Sequence, residues 1–362
     1  MSMTSRAAVL VGERAIEIRE FPLPDTGADD GLLRIEATGV CGTDIAAYRA
    51  GASTFYELPC VLGHELVGRV ERVGDAAAQR WGIGPGDRIV VEEYLPCGTC
   101  RSCLDGAYQM CGVRRYGGRS TSSEPALWGG YSDYMYLDRQ SIVHRVSDDV
   151  TPELVQLYIP VSNGLHWVRE VGDARPGGTV VVIGPGPHGL GCVIGAKEAG
   201  AGLVILVGTA RDQARLEAGR ALGADHCLAG SAEDVGAAVA ELTGGLLAET
   251  VVNAADSVGA LATALASAGD RATIVQAGLA HGGGADVAGA LATALVERLL
   301  TLRGVLGRPS RMVPPALRLI ESGRYPLELI NTATFAIEDT EAALNAIADD
   351  PAAIRSIVVP AS

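Results

Sequence analysis

From about residue 180 onward, short runs of branched apolar residues alternate with longer alanine-rich segments, and this alternation constrains the fold more than any other feature of the chain. Strands that are buried on both faces of a sheet are continuous apolar runs, and the longer segments have the length and composition of connecting helices. The pattern predicts a doubly wound sheet of parallel strands. The predicted strands are 180–183, 203–207, 250–252 and 272–275, and two of the predicted helices are 211–222 and 258–268.

The first 150 residues have a different character. Glycine and proline interrupt them often, helical periodicity is weak, and short strands are predicted at 32–37 and 66–73. The tail from about residue 298 has helices and a last strand at 356–359. A chain of 362 residues is long enough for two domains. We predict an α/β protein with a mostly β domain over 1–155, a nucleotide-binding domain over 156–297 and a tail over 298–362.

A glycine-rich loop follows the first predicted strand of the parallel sheet and opens the helix that runs toward Ala199. In this context, a first glycine turns the chain, a second lets the backbone approach a pyrophosphate, and a third lets helix and strand pack closely. The helix N-terminus adds backbone N–H groups for an anion. A chance glycine loop is the alternative. We expect the loop to bind a dinucleotide through Gly184, Gly186, Pro187, His188 and Gly189.

The second predicted strand ends where the ribose of the dinucleotide is expected to lie, about twenty residues beyond the glycine loop. A carboxylate at that point binds the 2′-hydroxyl of NAD, but this chain has Gly208 there. Thr209 and Arg211 supply a hydroxyl and a planar fork of donors, which suit a 2′-phosphate. This set favours NADP over NAD. In the alternative, Arg211 only begins an exposed helix and Asp212 binds the ribose.

Four cysteines lie close together in the segment 97–111, and the first three form a C-x-x-C-x-x-C arrangement. This spacing lets four thiolates converge on one tetrahedral Zn²⁺, with Zn–S bonds of about 2.3 Å. A full set of four leaves no open coordination position, so the spacing predicts a structural zinc in a lobe over 93–115. Disulfides are the alternative, but the first residues of the chain show no secretory signal that would favour them. The expected ligands are Cys97, Cys100, Cys103 and Cys111.

Charge and hydropathy narrow the classes of partner. The formal net charge of −14 opposes binding to a nucleic-acid backbone, because the phosphates would meet a surface of the same sign. No apolar run reaches the roughly 18 residues that a membrane span needs. We therefore expect a soluble, cytoplasmic protein that acts on a small molecule and binds neither nucleic acid nor membrane.

A second group of possible metal ligands precedes the four-cysteine loop. A catalytic zinc needs three protein ligands and one open position, where it polarises an alcohol oxygen and lowers the pKa of that alcohol. Cys41 and His64 are the expected ligands, and Asp44 is expected to accept the other ring N–H of His64. The Thr43 hydroxyl is expected to take the substrate proton, and Glu65 is a further candidate ligand.

The segments 39–44, 63–65, 97–111 and 184–189 occur in the order found in zinc-containing medium-chain alcohol dehydrogenases, and this resemblance spans nearly the whole chain. The resemblance implies a GroES-like catalytic domain built from both chain ends, a Rossmann domain between them, and a cleft that holds the nicotinamide beside the zinc. It also implies that Asn163 lies against the nicotinamide ring and that the chain forms a homodimer or homotetramer. We predict an NAD(P)-dependent alcohol dehydrogenase or carbonyl reductase, in which hydride passes between the nicotinamide and a carbinol or carbonyl carbon.

Two positions depart from the pattern of that family. Ile159 stands where the third ligand of the catalytic zinc is expected, and an isoleucine cannot bind metal. Either Glu65 or a water completes the coordination sphere, or the site binds zinc weakly or not at all. Ala46 replaces a proton-relay histidine of many relatives, so protons leave by another route, such as Thr43 and the nicotinamide ribose.

The loss of the third ligand keeps two further interpretations open. A metal-free reductase with the same site would deliver hydride to an enone or a quinone. A catalytically silent nucleotide-binding protein would keep zinc only for folding. Three aromatic residues in the predicted β domain either line an apolar substrate pocket or cover the edge of a core, and these are Phe55, Tyr56 and Trp128.

Overall fold

The computed structural model describes residues 3–51, 56–112, 115–279, 285–350 and 352–360. The chain divides into two compact units. The first unit comprises Met1–Tyr158, Pro309–Gly323 and Asn331–Ser362, and the second comprises Ile159–Arg308 and Arg324–Ile330. Within the described residues, no helix combines the length and the apolar character that crossing a membrane requires.

The elements are numbered here in chain order. The strands are β1 Thr4–Gly12, β2 Ala15–Pro22, β3 Gly31–Gly39, β4 Cys60–Val61, β5 Glu65–Val73, β6 Arg88–Val91, β7 Tyr134–Leu137, β8 Val143–Arg145, β9 Thr179–Ile183, β10 Leu203–Gly208, β11 His226–Ala229, β12 Ala248–Asn253, β13 Ala268–Gln276, β14 Thr301–Gly304, β15 Ala333–Ala336 and β16 Ser356–Val359. The helices are α1 Gly42–Ala50, α2 Asp75–Trp81, α3 Arg101–Leu104, α4 Pro152–Val155, α5 Tyr158–Leu165, α6 Pro187–Glu198, α7 Gln213–Ala221, α8 Ala232–Leu242, α9 Val258–Ser267, α10 Ala285–Glu297, α11 Val313–Glu321 and α12 Thr340–Asp349.

The first unit is built on two sheets. The larger sheet has the order β15-β16-β3-β5-β6-β8, with β7 also paired to β3, and the smaller has the order β2-β1-β4. Strand β3 is buried at seven of its nine positions, and the buried apolar side chains include Leu32 on one face and Leu33 and Ile35 on the other. Burial of each such side chain stabilises the fold by about 1.5–3 kcal/mol. The last strand, β16, pairs antiparallel with β3, so the C-terminus completes a sheet formed by the N-terminal part of the chain.

The second unit contains a parallel sheet of six strands in the order β11-β10-β9-β12-β13-β14. Val181 of β9 lies in register with Ile205 of β10 and Val251 of β12, and Val251 lies in register with Ile274 of β13. These four side chains belong to one buried cluster, so the branched apolar runs form the centre of the sheet. The chain order reverses between β9 and β12, the point at which doubly wound sheets bind their ligands. The predicted fold class is confirmed.

The C-terminal boundary of the second unit differs from the predicted one. Strand β14 pairs in parallel with β13, so the chain stays in this sheet beyond residue 297. It returns to the first unit at Pro309, and the short stretch Arg324–Ile330 again belongs to the second unit. The boundary expected between residues 297 and 298 therefore lies inside the second unit, because the last edge strand has a polar, exposed sequence that resembles a loop.

Helices α5 and α6 approach each other at backbone distance. A Cβ atom added to Gly164 would lie 2.0 Å from the carbonyl oxygen of Gly191, and one added to Gly191 would lie 2.1 Å from that of Pro160. A Cβ on Gly195 would lie 2.3 Å from the carbonyl oxygen of Gly164. Glycine in a helix lowers the stability by roughly 0.5–1 kcal/mol relative to alanine. In this pair of helices, the absence of side chains allows a backbone contact that any Cβ atom would prevent.

Candidate active site and metal centres

The four cysteines of the segment 97–111 lie together in the first unit, and one ligand atom from each lies within 4.8 Å of the others. The Sγ atoms of Cys97 and Cys103 are 3.9 Å apart. Zn–S bonds of about 2.3 Å in a tetrahedron place sulfur atoms roughly 3.8 Å apart, so the cluster fits a zinc ion. All eight cysteines of the chain lie among the described residues, and none of them forms a disulfide.

Local structure positions these sulfurs. Cys100 is the N-cap of α3, which places Cys103 on the first turn of that helix. Gly98 has a φ of 75°, a left-handed conformation that turns the loop back between Cys97 and Cys100. The backbone N–H of Cys100 donates to Sγ of Cys97 at 3.3 Å. Hydrogen bonds from Thr99 and Cys100 lower the pKa of Cys97 to about 6, which favours the thiolate that zinc binds.

A buried carboxylate, that of Asp44, organises the second group of candidate ligands in the first unit. Cys41 is the N-cap of α1, and its backbone N–H donates to Oδ2 of Asp44 at 3.1 Å. The phenol of Tyr131 donates to the same oxygen at 3.0 Å, and the backbone N–H of Gly63 donates to Oδ1 at 3.4 Å. Nδ1 of His64 lies 3.3 Å from Oδ1. Asp44 therefore fixes the start of α1 and the ring of His64 together.

This arrangement leaves Nε2 of His64 facing away from Asp44, with Oγ1 of Thr43 at 3.5 Å. Burial lowers the pKa of His64, but the charge and contact of Asp44 and the contact of Cys41 outweigh burial and raise that pKa well above 6.5. Burial raises the pKa of Asp44, and the paired His64 more than reverses this, so the pKa is lowered. A thiol and an imidazole nitrogen beside a fixed carboxylate are the donor set of a zinc site.

Glu65 is held by an arginine that the sequence reasoning did not find. Its Oε2 atom accepts a hydrogen bond from Nη2 of Arg355, and both side chains are at most 2% exposed. The same nitrogen donates to Oε1 of Gln156 at 2.5 Å, and Nε2 of Gln156 donates to Oδ1 of Asn331 at 3.0 Å. A carboxylate oxygen of Glu65 and the sulfur of Cys41 lie within 4.8 Å of each other. The only sequence signal was an arginine inside the apolar final segment of the chain.

The glycine loop of the second unit has the geometry that each glycine was predicted to supply. Gly184 ends β9 with a φ of 92°, and a Cβ there would lie 2.9 Å from Cβ of Ala255. Gly186 is the N-cap of α6, Pro187 follows at the first helical position, and no atom lies within 4 Å of a Cβ added to Gly186. A Cβ on Gly189 would lie 1.8 Å from the carbonyl oxygen of Gly184. The loop thus has open space only where a phosphate would approach.

His188 lies on the first turn of α6, and its ring is 5.3 Å from the ring of Trp167. Nδ2 of Asn163 lies 3.5 Å from Nδ1 of His188. Asn163 is buried, and its Oδ1 atom has no hydrogen-bond partner among the described residues. An unsatisfied buried amide oxygen is costly, so a ligand that donates to Asn163 would stabilise this part of the second unit.

The residues expected at the ribose lie between β10 and α7. Oδ2 of Asp212 accepts hydrogen bonds from the backbone N–H of Thr209 at 2.8 Å and from its hydroxyl at 2.6 Å. Arg215, which the sequence reasoning missed, pairs with Oδ1 of Asp212 at 3.2 Å. Arg211 is exposed just before α7 begins, and a Cβ on Gly208 would lie 3.1 Å from Cβ of Asp212. Hydrogen-bonding partners within the chain already engage both oxygens of Asp212.

Ile159 is buried and offers no metal-binding atom, and Ala46 is an exposed residue of α1. Trp128 packs inside the core of the first unit, so this aromatic residue covers the core instead of lining a substrate pocket. Tyr56 is buried in the first unit, and Phe55 lies outside the described residues.

A mostly β unit with a cysteine–histidine centre and a four-cysteine cluster, in one chain with a Rossmann unit, defines the zinc-dependent class of medium-chain dehydrogenases. The family model described as alcohol dehydrogenase GroES-like domain matches residues 27–148, and the one described as zinc-binding dehydrogenase matches residues 187–322. The chain belongs to the zinc-containing medium-chain alcohol dehydrogenase family, as its sequence motifs predicted.

Relatives extend this result over nearly the whole chain. The chain is 40% identical over 330 residues to the "probable alcohol dehydrogenase" of Mycobacterium tuberculosis strain H37Rv, a match that covers 89% of this chain and 88% of that protein. It is 31% identical over 334 residues to the erythritol/L-threitol dehydrogenase of Mycolicibacterium smegmatis, with 90% and 89% covered. The crystal structure of an alcohol dehydrogenase from Thermotoga maritima has a TM-score of 0.87 at 25% identity, with 99% of this chain and 100% of that chain covered.

The prediction of an oxidoreductase that acts on CH–OH groups is confirmed by these relatives. Zinc and a nicotinamide nucleotide are the cofactors of this class, and the substrate is a small molecule.

Proposed function

We propose that the chain oxidises a small secondary alcohol or polyol, or reduces the matching carbonyl, with NADP(H) and a zinc held by Cys41, His64 and Glu65. One observation supports this most: the buried Asp44 accepts a hydrogen bond from the backbone N–H of Cys41 and lies 3.3 Å from Nδ1 of His64, so Nε2 of His64 points away from Asp44. When bound, zinc polarises the alcohol oxygen and lowers the pKa of the alcohol, and the nicotinamide accepts the hydride. The relatives that act on alcohols and polyols favour the same substrate class.

The residues of the chain have separate roles in this proposal. Asp44 keeps the proton on Nδ1 of His64, which presents Nε2 to the metal. Arg355 donates a hydrogen bond to Oε2 of Glu65 and so orients the carboxylate. A carboxylate oxygen of Glu65 lies within 4.8 Å of the Cys41 sulfur. Ligands with bonds of about 2.3 Å for sulfur and 2.1 Å for oxygen would lie roughly 3.6 Å apart, which falls within that limit. The Thr43 hydroxyl holds and passes on the substrate proton.

Zinc counting combined with turnover tests this proposal. We expect two zinc ions per chain in the wild type, one in Cys41→Ala with turnover of an alcohol panel abolished, and two in the matched control Cys227→Ala. Cys227 is a half-buried thiol of the second unit, and its S–H donates a hydrogen bond to the carbonyl oxygen of Leu216. Unchanged turnover in Cys41→Ala would contradict the catalytic role of this centre.

The buried Ile159, together with the pairing of Glu65 to Arg355, favours one second candidate, a metal-free reductase that acts on an enone or a quinone. The same experiment separates the two functions. A wild-type count of one zinc, with reduction of an enone panel and no turnover of alcohols, would support the metal-free reductase.

We propose that the four-cysteine zinc is structural. Four thiolates fill a tetrahedral sphere and leave no position for a substrate, so this ion contributes folding free energy to the lobe over 93–115.

For the nucleotide we propose a preference for NADPH over NADH. Both oxygens of Asp212 already have partners in Thr209 and Arg215, so this carboxylate is poorly placed to bind two ribose hydroxyls. The exposed guanidinium of Arg211 lies next to it and can bind a 2′-phosphate.

We expect Arg211→Ala to weaken the binding of NADPH about tenfold and to leave the binding of NADH unchanged, since a charge-assisted hydrogen bond is worth about 1.5–3 kcal/mol. The control is Arg220→Ala in the last turn of α7, and equal NADPH affinity in all three proteins would contradict the preference.

We propose that the chain forms a homodimer through β14. This strand is exposed at all four positions and pairs only with β13 among the described strands, so one edge of the sheet remains open. Val296, Leu299, Leu302 and Leu306 are exposed apolar residues near this edge. A two-fold axis would pair two such edges and bury these side chains. Leu302→Lys should convert the dimer to a monomer in analytical ultracentrifugation.

A cytoplasmic location stays a prediction from the sequence, and cell fractionation tests it.

A further inference from the structure

The phenol of Tyr56 is a buried polar group of the first unit that the proposed function leaves unused. Tyr56 is 7% exposed, and no described group lies in hydrogen-bonding geometry with its oxygen. Such a group is costly to leave unsatisfied, so its presence needs an explanation in a ligand, a water or a function.

Tyr56 lies beside the proposed catalytic centre, in the same buried cluster as Val40, which precedes Cys41, and as Tyr131, whose phenol donates to Asp44. Burial raises its pKa, the charge of Asp44 raises it further, and Arg115 and the Thr43 hydroxyl act in the opposite direction. The net effect raises the pKa of Tyr56 above its ordinary value, so the phenol stays protonated at neutral pH and can donate a hydrogen bond. Asp44 and Cys41 are close enough to act on this group electrostatically, which places it at the same end of the first unit as the candidate zinc ligands.

The ring of Tyr56 is restrained by a cation over its face and by the fixed backbone next to it. The guanidinium of Arg115 lies 5.5 Å from the ring centroid, and Arg115 is fixed by a backbone bridge to Tyr94. The backbone beside the ring is fixed as well, because the N–H of Glu57 donates to the carbonyl oxygen of Gly118 at 2.8 Å. A cation over an aromatic face restrains the ring without occupying its hydroxyl. The phenol is therefore oriented, and its own O–H has no acceptor among the described residues, while the nearby Thr43 hydroxyl acts on it as a donor.

We propose that Tyr56 is a specificity-determining residue whose phenol hydrogen-bonds a second hydroxyl of the substrate, adjacent to the one that is oxidised, so that the enzyme selects vicinal diols and polyols over simple alcohols. This inference rests on the proposed dehydrogenase function. A phenol both donates and accepts, which matches a hydroxyl. The charge of Arg115 is less suited to select a carboxylate, because Glu93 and the Tyr56 ring already surround it. A site built to bond a hydroxyl rejects the analogue that lacks it, because the buried polar group is then left unpaired.

The test compares 2-butanol with 2,3-butanediol, which differ by one hydroxyl, in the zinc-loaded enzyme. In the wild type we expect kcat/KM for the diol to exceed that for 2-butanol by about tenfold or more. Tyr56→Phe should lower kcat/KM for the diol by a similar factor and change that for 2-butanol less than about twofold, since only the hydroxyl is removed. The zinc count, measured in parallel, should be unchanged, which together with the retained turnover of 2-butanol shows that the first unit of Tyr56→Phe is folded.

The matched control is Tyr48→Phe. Tyr48 is also buried in the first unit, but its phenol donates to Oε1 of Glu341 at 3.0 Å, so the diol preference should persist in this variant. A wild-type ratio near one, or a preference that survives in Tyr56→Phe, overturns the inference while the dehydrogenase function stands. If no alcohol of the panel is oxidised by the wild type, the proposed function fails, and the inference fails with it.

Discussion

Because α5 and α6 are in close contact at Gly191, replacing this glycine with alanine should destabilise the second unit, whereas the same replacement at Gly289 should stabilise it. Replacing Gly191 with alanine places a Cβ atom 2.1 Å from the carbonyl oxygen of Pro160, whereas real Cβ atoms essentially never come closer than 3.0 Å to another atom. The opposing atom belongs to the backbone, so one helix must move by at least about 0.9 Å. Overpacking of this kind costs about 1–3 kcal/mol, and the better helix propensity of alanine returns up to about 1 kcal/mol.

The control is Gly289→Ala in α10. Gly289 is exposed, and no atom lies within 4 Å of an added Cβ, so only the propensity term remains. For a unit of this size, 1 kcal/mol corresponds to about 2–4 °C in Tm. We therefore expect Gly191→Ala to lower the Tm of the second unit by about 3–6 °C and Gly289→Ala to raise it by about 2 °C.

The same movement should reach the nucleotide site, because α6 begins directly after Gly186. We expect Gly191→Ala to weaken NADPH binding by about tenfold, equivalent to 1.4 kcal/mol, and Gly289→Ala to leave it unchanged. Circular dichroism melts with and without NADPH, with a fluorescence titration of the nucleotide, measure both effects. A Gly191→Ala variant at least as stable as the wild type, with normal affinity, would refute the reasoning from close backbone packing.

Three further results are expected. Cys103→Ser should reduce the zinc count by one and destabilise the first unit in chelator-free buffer, because three thiolates hold the ion more weakly than four, and metal analysis with urea unfolding checks this. Arg355→Met should cost about 3–5 kcal/mol of unfolding free energy, because Glu65 keeps a buried charge without its partner, whereas Arg19→Met, which breaks an exposed pair, should cost less than about 1 kcal/mol. Ser231→Ala should remove the N-cap of α8 and cost about 1 kcal/mol at neutral pH. Hydrogen bonds from Ser231 lower the pKa of Asp234 in the folded chain. The destabilisation caused by Ser231→Ala should therefore be largest above the pKa of Asp in the unfolded chain and should decrease as the pH falls through the lower pKa of folded Asp234. Urea titrations at several pH values measure this change.

The features that the sequence predicted well are local or periodic. The parallel strands were predictable because each is a continuous apolar run, and the glycine loop and the four-cysteine loop are defined by neighbours in the sequence. The partners of Glu65 were not predictable, because Arg355 lies 290 residues away in the chain and no periodicity links them. Arg215 was missed for a related reason, since its pairing with Asp212 depends on how α7 begins.

The pairing of Arg355 with Glu65 also has a consequence for biosynthesis. The ribosome makes Glu65 long before Arg355, because the residue that carries the neutralising charge lies 290 residues further along the chain. Until Arg355 emerges and β16 adds to β3, the growing chain must keep this carboxylate hydrated or protonated. The proposed metal centre with Glu65 can therefore form only after Arg355 has been translated, whereas the four-cysteine loop carries all of its expected ligands in the segment 97–111.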